Sequence, residues 1–95
     1  MRNYEVAFIA DAELDPEALE ELEGKVKSWI EAAGGKPGKV DQWGKRKLAY
    51  PIQKKNEGHY TFIEAEMPAQ APVVVERNMR LSEQILRFMV TATEA

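Results

Sequence analysis

From Tyr4 to Ala10 the side chains alternate, with Tyr4, Val6, Phe8 and Ala10 on one face and Asn3, Glu5, Ala7 and Ile9 on the other. A period of two predicts a β-strand whose first set faces a core. After a loop at Asp11-Ala12-Glu13 the period changes. Leu19, Leu22, Val26, Trp29, Ile30 and Ala33 form one apolar stripe at helical spacing. Asp15 suits the N-cap of that helix, Pro16 its first position, and Glu17 the positive end of its dipole. Leu14 can pack on Leu19 across the cap, and Gly34-Gly35 should end the helix.

Lys36-Pro37-Gly38 reads as a turn, and Lys39 to Ile52 as a long, interrupted strand. Gly44 suggests a bulge in it. Asp41, Lys45, Arg46 and Lys47 are the charges of an edge strand protected from self-pairing. Gln53 to Gly58 is a polar turn. From Tyr60 to Met67 the chain alternates again, with Tyr60, Phe62, Glu64 and Glu66 opposed to Thr61, Ile63, Ala65 and Met67, until Pro68 stops it. Pro72 to Arg80 is predicted to be a second helix with Val75 and Met79 inward, against the helix propensity of Val73-Val74-Val75. Ile85 to Ala92 closes the chain as a strand, with Leu86, Phe88 and Val90 inside and Arg87, Met89 and Thr91 outside.

The order βαββαβ with right-handed crossovers predicts an α+β, ferredoxin-like split βαβ fold. Four antiparallel strands form one sheet, both helices cover one face, and residues 1–95 make a single domain. The other face stays open and displays Ile9, Tyr60, Phe62 and Met89, with Trp43 beside them. A chain of 95 residues suits one core and no second.

Composition narrows the chemistry. Without cysteine there is no disulfide, thiolate metal site or thiol nucleophile. The lone His59 cannot build a histidine-based zinc cluster, and Ser28 and Ser82 lack a His-Asp partnership. No metal or cofactor is expected. Glu20, Glu21 and Glu23 read as the solvated face of a helix, and His59, beside Gly58 at a hairpin exit, as a solvated turn histidine. No glycine-rich phosphate loop exists. The small acylphosphatases share the predicted fold but need a phosphate-cradling loop with an arginine, where this chain has Asp11-Ala12-Glu13. No apolar run approaches the ~18 residues of a membrane span, and the charged, alternating start is not that of a signal peptide. The expectation is a non-enzyme.

The net charge of −3 hides an asymmetry. Residues 1–35 carry a balance of −6, residues 36–59 one of +5, and residues 60–95 one of −2. A polyanion feels the local field over about a Debye length, ~10 Å at 0.1 M salt, so a basic middle segment can still meet nucleic acid. Tyr60 and Phe62, two apart on the open face, are spaced like the base-stacking pair of an RNA-recognition sheet. Lys45, Arg46, Lys47, Lys54 and Lys55 flank them on one side, and Arg2, Arg80 and Arg87 on another. The same two aromatics could instead pack on basic stems or belong to a protein interface. An acidic chain should need a basic partner to bind RNA well.

Specific blocks then stand out. They are Met1-Arg2-Asn3-Tyr4-Glu5-Val6, Trp43-Gly44-Lys45-Arg46-Lys47-Leu48-Ala49-Tyr50-Pro51-Ile52, Glu66-Met67-Pro68, Glu76-Arg77-Asn78-Met79-Arg80-Leu81 and Leu86-Arg87. In this order they make the chain similar over its whole length to the bacterial small-subunit ribosomal protein six family. The resemblance implies a structural component of the small ribosomal subunit, cytoplasmic and monomeric outside the ribosome. It implies pairing with small-subunit protein eighteen and binding to the central domain of small-subunit ribosomal RNA. Trp43, Gly44, Arg46 and Lys47 then resemble the partner-protein edge, which Lys45 and Met89 are expected to join. Arg2, Tyr4, Arg80 and Arg87 resemble positions at RNA, alongside Lys54, Lys55, Tyr60 and Phe62. Many members carry a tail beyond the position of Ala95 that helps hold the partner. Two other readings stay open: a free-standing single-stranded RNA binder of the same fold, and a small ligand-binding or oxygenase-like dimer.

Overall fold

The computed structural model describes residues 1–52 and 54–93. Its elements run β1 (Arg2–Asp11), α1 (Pro16–Ala32), β2 (Lys36–Ile52), β3 (Lys55–Met67), α2 (Ala71–Leu81) and β4 (Ile85–Ala92). The four strands form one antiparallel sheet in the order β2-β3-β1-β4. This is the ferredoxin-like βαββαβ arrangement expected from the periodicity. β1 and β3 are central, and β2 and β4 are the two edges.

The alternation of β1 and β3 decides where the core sits. Val6, Phe8 and Ala10 of β1 and Thr61, Ile63, Ala65 and Met67 of β3 are buried on one face. Leu22, Val26 and Ile30 of α1 and Ala71, Val75 and Met79 of α2 close over them. Tyr4, Leu14, Leu19, Trp29 and Ala33 pack at the margin of this cluster. In α2 the residues at positions 71, 75 and 79 face the core while Val73 and Val74 face out. Burial of that stripe outweighs the weak helix propensity of three consecutive valines.

The ends of α1 follow the capping residues. Asp15 Oδ1 accepts the Ala18 N–H at 2.7 Å. At the other end Gly34 adopts φ +91°, its N–H donates to Glu31 O at 3.0 Å, and the Gly35 N–H donates to Ile30 O at 2.9 Å. These two bonds satisfy carbonyls that the last helical turn leaves without partners. Gly35 then passes so close to β3 that a Cβ there would lie 2.7 Å from Met67 Cγ and 2.8 Å from Glu66 O.

Four expectations change. Lys36-Pro37-Gly38 is the start of β2, not a turn: Lys36 pairs with Glu66 and Pro37 with Ala65 before the register shifts ahead of Val40. A proline is tolerated there because an edge strand has one side without ladder bonds. The polar turn expected over Gln53 to Gly58 is mostly strand. Ile52 already pairs with Lys55, and Lys54 takes φ +65° in the connection; Gln53 lies outside the described residues. His59 is therefore in β3, opposite Ala10 and Lys45, with Nε2 out of solvent and no hydrogen-bond partner among the described residues. It is not a solvated turn histidine. In β4 a register shift leaves Ile85 buried opposite Ala10, and Leu86 only half-buried. Gly44, by contrast, is a bulge as expected, with φ +80° and a register shift between Gln42 and Gly44.

Gly35→Ala should destabilise the fold by about 1–3 kcal/mol, the usual cost of forcing one carbon into a packed site that includes backbone. Urea denaturation of the variant beside the wild type measures this. An unchanged midpoint would show that α1 and β3 can separate there.

Candidate functional site

The second set of alternating side chains builds the uncovered face in rows across the sheet. Met89, Ala7, Phe62 and Asp41 are cross-strand neighbours, and Arg87, Ile9, Tyr60 and Gly44 form the next row. Ala7 is short, so a shallow depression of about 210 Å³ opens between Phe62 and Met89, floored by Ile9 and Tyr60. Tyr60 and Phe62 are half-buried, whereas Met89 is 58% and Trp43 50% exposed. The Trp43 ring leans on Phe62 with centroids 4.7 Å apart. The face is thus apolar and aromatic, and Trp43 belongs to it.

Two arginines bound this face from opposite edges. On β2 the Arg46 guanidinium lies 5.7 Å from the Trp43 ring centre, and its Nε donates to Trp43 O at 3.2 Å. Trp43 Nε1 donates to Asp41 Oδ2 at 3.2 Å, which fixes the indole. On β4 the Arg87 guanidinium lies 5.7 Å from the Tyr50 ring centre and donates from Nη1 to the Tyr50 hydroxyl. Cation–π contacts at exposed sites contribute about 0.5–1 kcal/mol each. They order the arginines without neutralising them.

The remaining candidates are dispersed. Arg80, in the last turn of α2, lies 5.7 Å from the ring centre of Phe88, a core-side residue. Arg80 and Arg87 therefore reach the β4 edge from opposite faces, and among the described residues neither forms an ion pair with Glu83. Arg2 is at the far end of β1, seven residues from Ile9, which at ~3.4 Å per residue is about 24 Å away. Tyr4 packs against the core, so it turns from the open face towards the helices. Gly44, Lys45, Arg46 and Lys47 stand together on β2, with Lys45 opposite His59 and Lys47 opposite Glu57. Met89 lies on the other edge strand, separated from them by β3 and β1.

Lys54 is exposed in the β2–β3 connection. Lys55 is committed within the chain: its Nζ donates to Glu13 Oε2 at 3.3 Å and lies 3.6 Å from Asp11 Oδ2. The Glu13 hydrogen bond, followed by the charge of Asp11, holds the Lys55 ammonium above the ordinary lysine value of 10.5. Tyr50 was not among the residues singled out by reasoning from the sequence. The available signal was an exposed aromatic in a polar edge strand, within the Leu48-Ala49-Tyr50-Pro51-Ile52 block.

The arrangement offers a surface for contact, not a catalytic constellation. Among the described residues no three acidic or histidine side chains converge as metal ligands, and no helix is long and apolar enough to cross a membrane. Its class is a small ferredoxin-like α+β protein with one uncovered aromatic sheet face and an arginine at each sheet edge. Residues 3–92 match the family model described as Ribosomal protein S6. Small ribosomal subunit protein bS6 of Clostridium novyi is 47% identical over 94 residues, 99% of each chain. The Bartonella quintana protein of that name is 44% identical over 99% of this chain and 69% of its own length. The crystal structure of 30S ribosomal protein S6 from Thermotoga maritima superposes with a TM-score of 0.91 at 36% identity, covering 97% of this chain and 87% of that one. The chain belongs to the ribosomal protein S6 family, whose members are structural components of the ribosome and not enzymes.

The Lys55 cluster makes a test of local electrostatics. A folded value above the unfolded one gives stability that is complete below the unfolded lysine pKa and lost as pH rises through the folded one. Lysine side-chain NMR titration should show Lys55 losing its proton above the ordinary lysine value of 10.5, and Glu13→Gln should bring it back towards that value. Titration of Lys55 at the ordinary value, unchanged by Glu13→Gln, would mean that the ion pair does not persist in solution.

Proposed function

We propose that this chain is built into the small ribosomal subunit, where it pairs with small-subunit protein eighteen and binds the central domain of small-subunit ribosomal RNA. The observation that carries the reading is an aromatic open face bounded by Arg46 and Arg87 on a chain whose net charge is −3. The apolar face is suited to a protein partner, since Trp43 and Met89 stand exposed on either side of Phe62. The arginine edges are suited to phosphate, because a guanidinium fork matches phosphate geometry and stays charged at any working pH. The acidic remainder repels a polyanion, so a basic partner must supply most of the counter-charge. The names of the relatives support the ribosomal setting, and with it a cytoplasmic one.

Within this reading β2 is the partner strand. It is an edge of the sheet, it carries Trp43, and Gly44 bends it at the bulge. Arg46 and Lys47 keep its unpaired backbone from recruiting a second copy of the chain. Arg80 and Arg87 meet RNA along the β4 edge, while Arg2 and Lys54 lie at separate ends of the molecule. Lys55, facing its own carboxylates, contributes least.

Two experiments test the proposal. RNA affinity measured at ~0.15 M salt should be weak for the chain alone and strong when protein eighteen is present. Tight, specific binding by the chain alone would favour the free-standing RNA binder. Replacing Arg46 and Lys47 together by Val should promote oligomers and weaken the partner complex, read by light scattering and calorimetry. A double variant that stays monomeric and binds normally would remove β2 from the interface.

A further inference from the structure

The segment of β2 and β3 beyond the sheet body is a two-stranded arm. β1 reaches only to Asp11 opposite Gly58, whereas β2 and β3 continue through Lys47 opposite Glu57 to Ile52 opposite Lys55. Two-stranded ribbons twist more strongly than wider sheets. The arm carries Tyr50 across to the opposite edge of the sheet, where its ring centre lies 5.7 Å from the Arg87 guanidinium of β4. Edge to edge the sheet spans three strand spacings, about 14 Å, so this contact joins parts of the fold that no backbone pairing connects.

The contact leaves Arg87 usable. The Tyr50 ring centre lies 5.7 Å from the guanidinium, and the Tyr50 hydroxyl accepts from Nη1. Of five N–H donors the other four remain along the edges of the plane. Among the described residues no carboxylate forms an ion pair with Arg87, although Glu5 lines the same depression. The side chain is exposed, so without the ring it would sample many rotamers and lose that freedom on binding.

We propose that Tyr50 is a positioning residue for Arg87, holding its guanidinium ready as a fork for a backbone phosphate of the bound RNA. This rests on the RNA-binding reading above and deepens it. Tyr50 carries no charge and contributes no counterion; its effect is on the orientation of a cation already present. That separates its signature from that of Arg87. Tyr50→Ala should lower the affinity of the chain and protein eighteen for central-domain ribosomal RNA by about three- to tenfold, the effect of one long side chain that must be ordered on binding. The slope of affinity against salt should not change. Arg87→Ala should lower affinity and also make the slope shallower by about 0.7–0.9. The double variant should bind no worse than Arg87→Ala. Tyr50→Phe, which keeps the ring and loses the hydroxyl, should fall between wild type and Tyr50→Ala.

A second readout uses the free protein. Nitrogen relaxation at Arg87 Nε should report a restricted side chain in the wild type and a mobile one in Tyr50→Ala, with thermal unfolding run alongside. Tyr50 is 54% exposed, so the variant should fold. An increase in RNA affinity on Tyr50→Ala would make the contact a competitor of RNA and overturn the proposal. So would additive losses in the double variant, or an Arg87 equally mobile with and without Tyr50. Wild-type binding with unchanged Tyr50→Ala binding overturns the positioning role alone. Failure of the wild-type pair to bind RNA overturns the reading beneath it as well.

Discussion

Both helices lie on the same face of the sheet, and almost everything else about the molecule follows from that. β1 is held between β3 and β4, so the connections from β1 to β2 and from β3 to β4 each cross over a neighbouring strand. Right-handed crossovers of two interleaved units send both helices to one side. Val6, Phe8 and Ala10 then share a single core with Leu22, Val26, Ile30, Val75 and Met79. Among the described residues no helix is left to cover the opposite face. Its apolar residues are available for binding because the topology has used both helices elsewhere.

The same constraint explains the distribution of charge. An open aromatic face and two unpaired edges invite self-association, and the basic residues are placed where that danger is greatest. Arg46 and Lys47 lie on one edge and Arg87 on the other, and two of the three rest on aromatic rings. A ring beneath a cation leaves its charge in place, unlike the ion pairs that engage Lys55. The chain thus separates a lysine paired with its own carboxylates from arginines that, among the described residues, form no ion pair. Membership of the ribosomal protein S6 family gives that separation a setting, since a subunit protein must bind without aggregating beforehand.

Most of the fold was legible in the amino-acid order, since periodicity is a local signal. The alternation of Tyr4 to Ala10 and of Tyr60 to Met67, the stripe of α1 with its Asp15 cap, and the bulge at Gly44 all required only neighbours in sequence. The misreadings occurred where turn-forming residues occupy strands. Pro37 and Gly38 are accepted by an edge strand, and Gly58 is inside β3 because a Cβ there would lie 2.3 Å from Ile9 Cγ2. Polar composition suggested a turn there, but close approach of β1 was the reason for the glycine. His59 was misplaced with it.

The sequence by itself determined which residues could face a core, which edge carried positive charge, and which family the chain resembles. Tertiary structure alone decided which of the candidate cations stand together. Lys54 and Lys55 are adjacent in sequence, yet one is exposed and the other is bound to carboxylates brought in from the end of β1 and the loop after it. Tyr50 and Arg87 are 37 residues apart and meet where the β2–β3 arm extends beyond β1. Local patterns specify the face on which a side chain leaves its own element. The partner it finds there depends on how distant elements are packed, and no spacing along the chain encodes that distance.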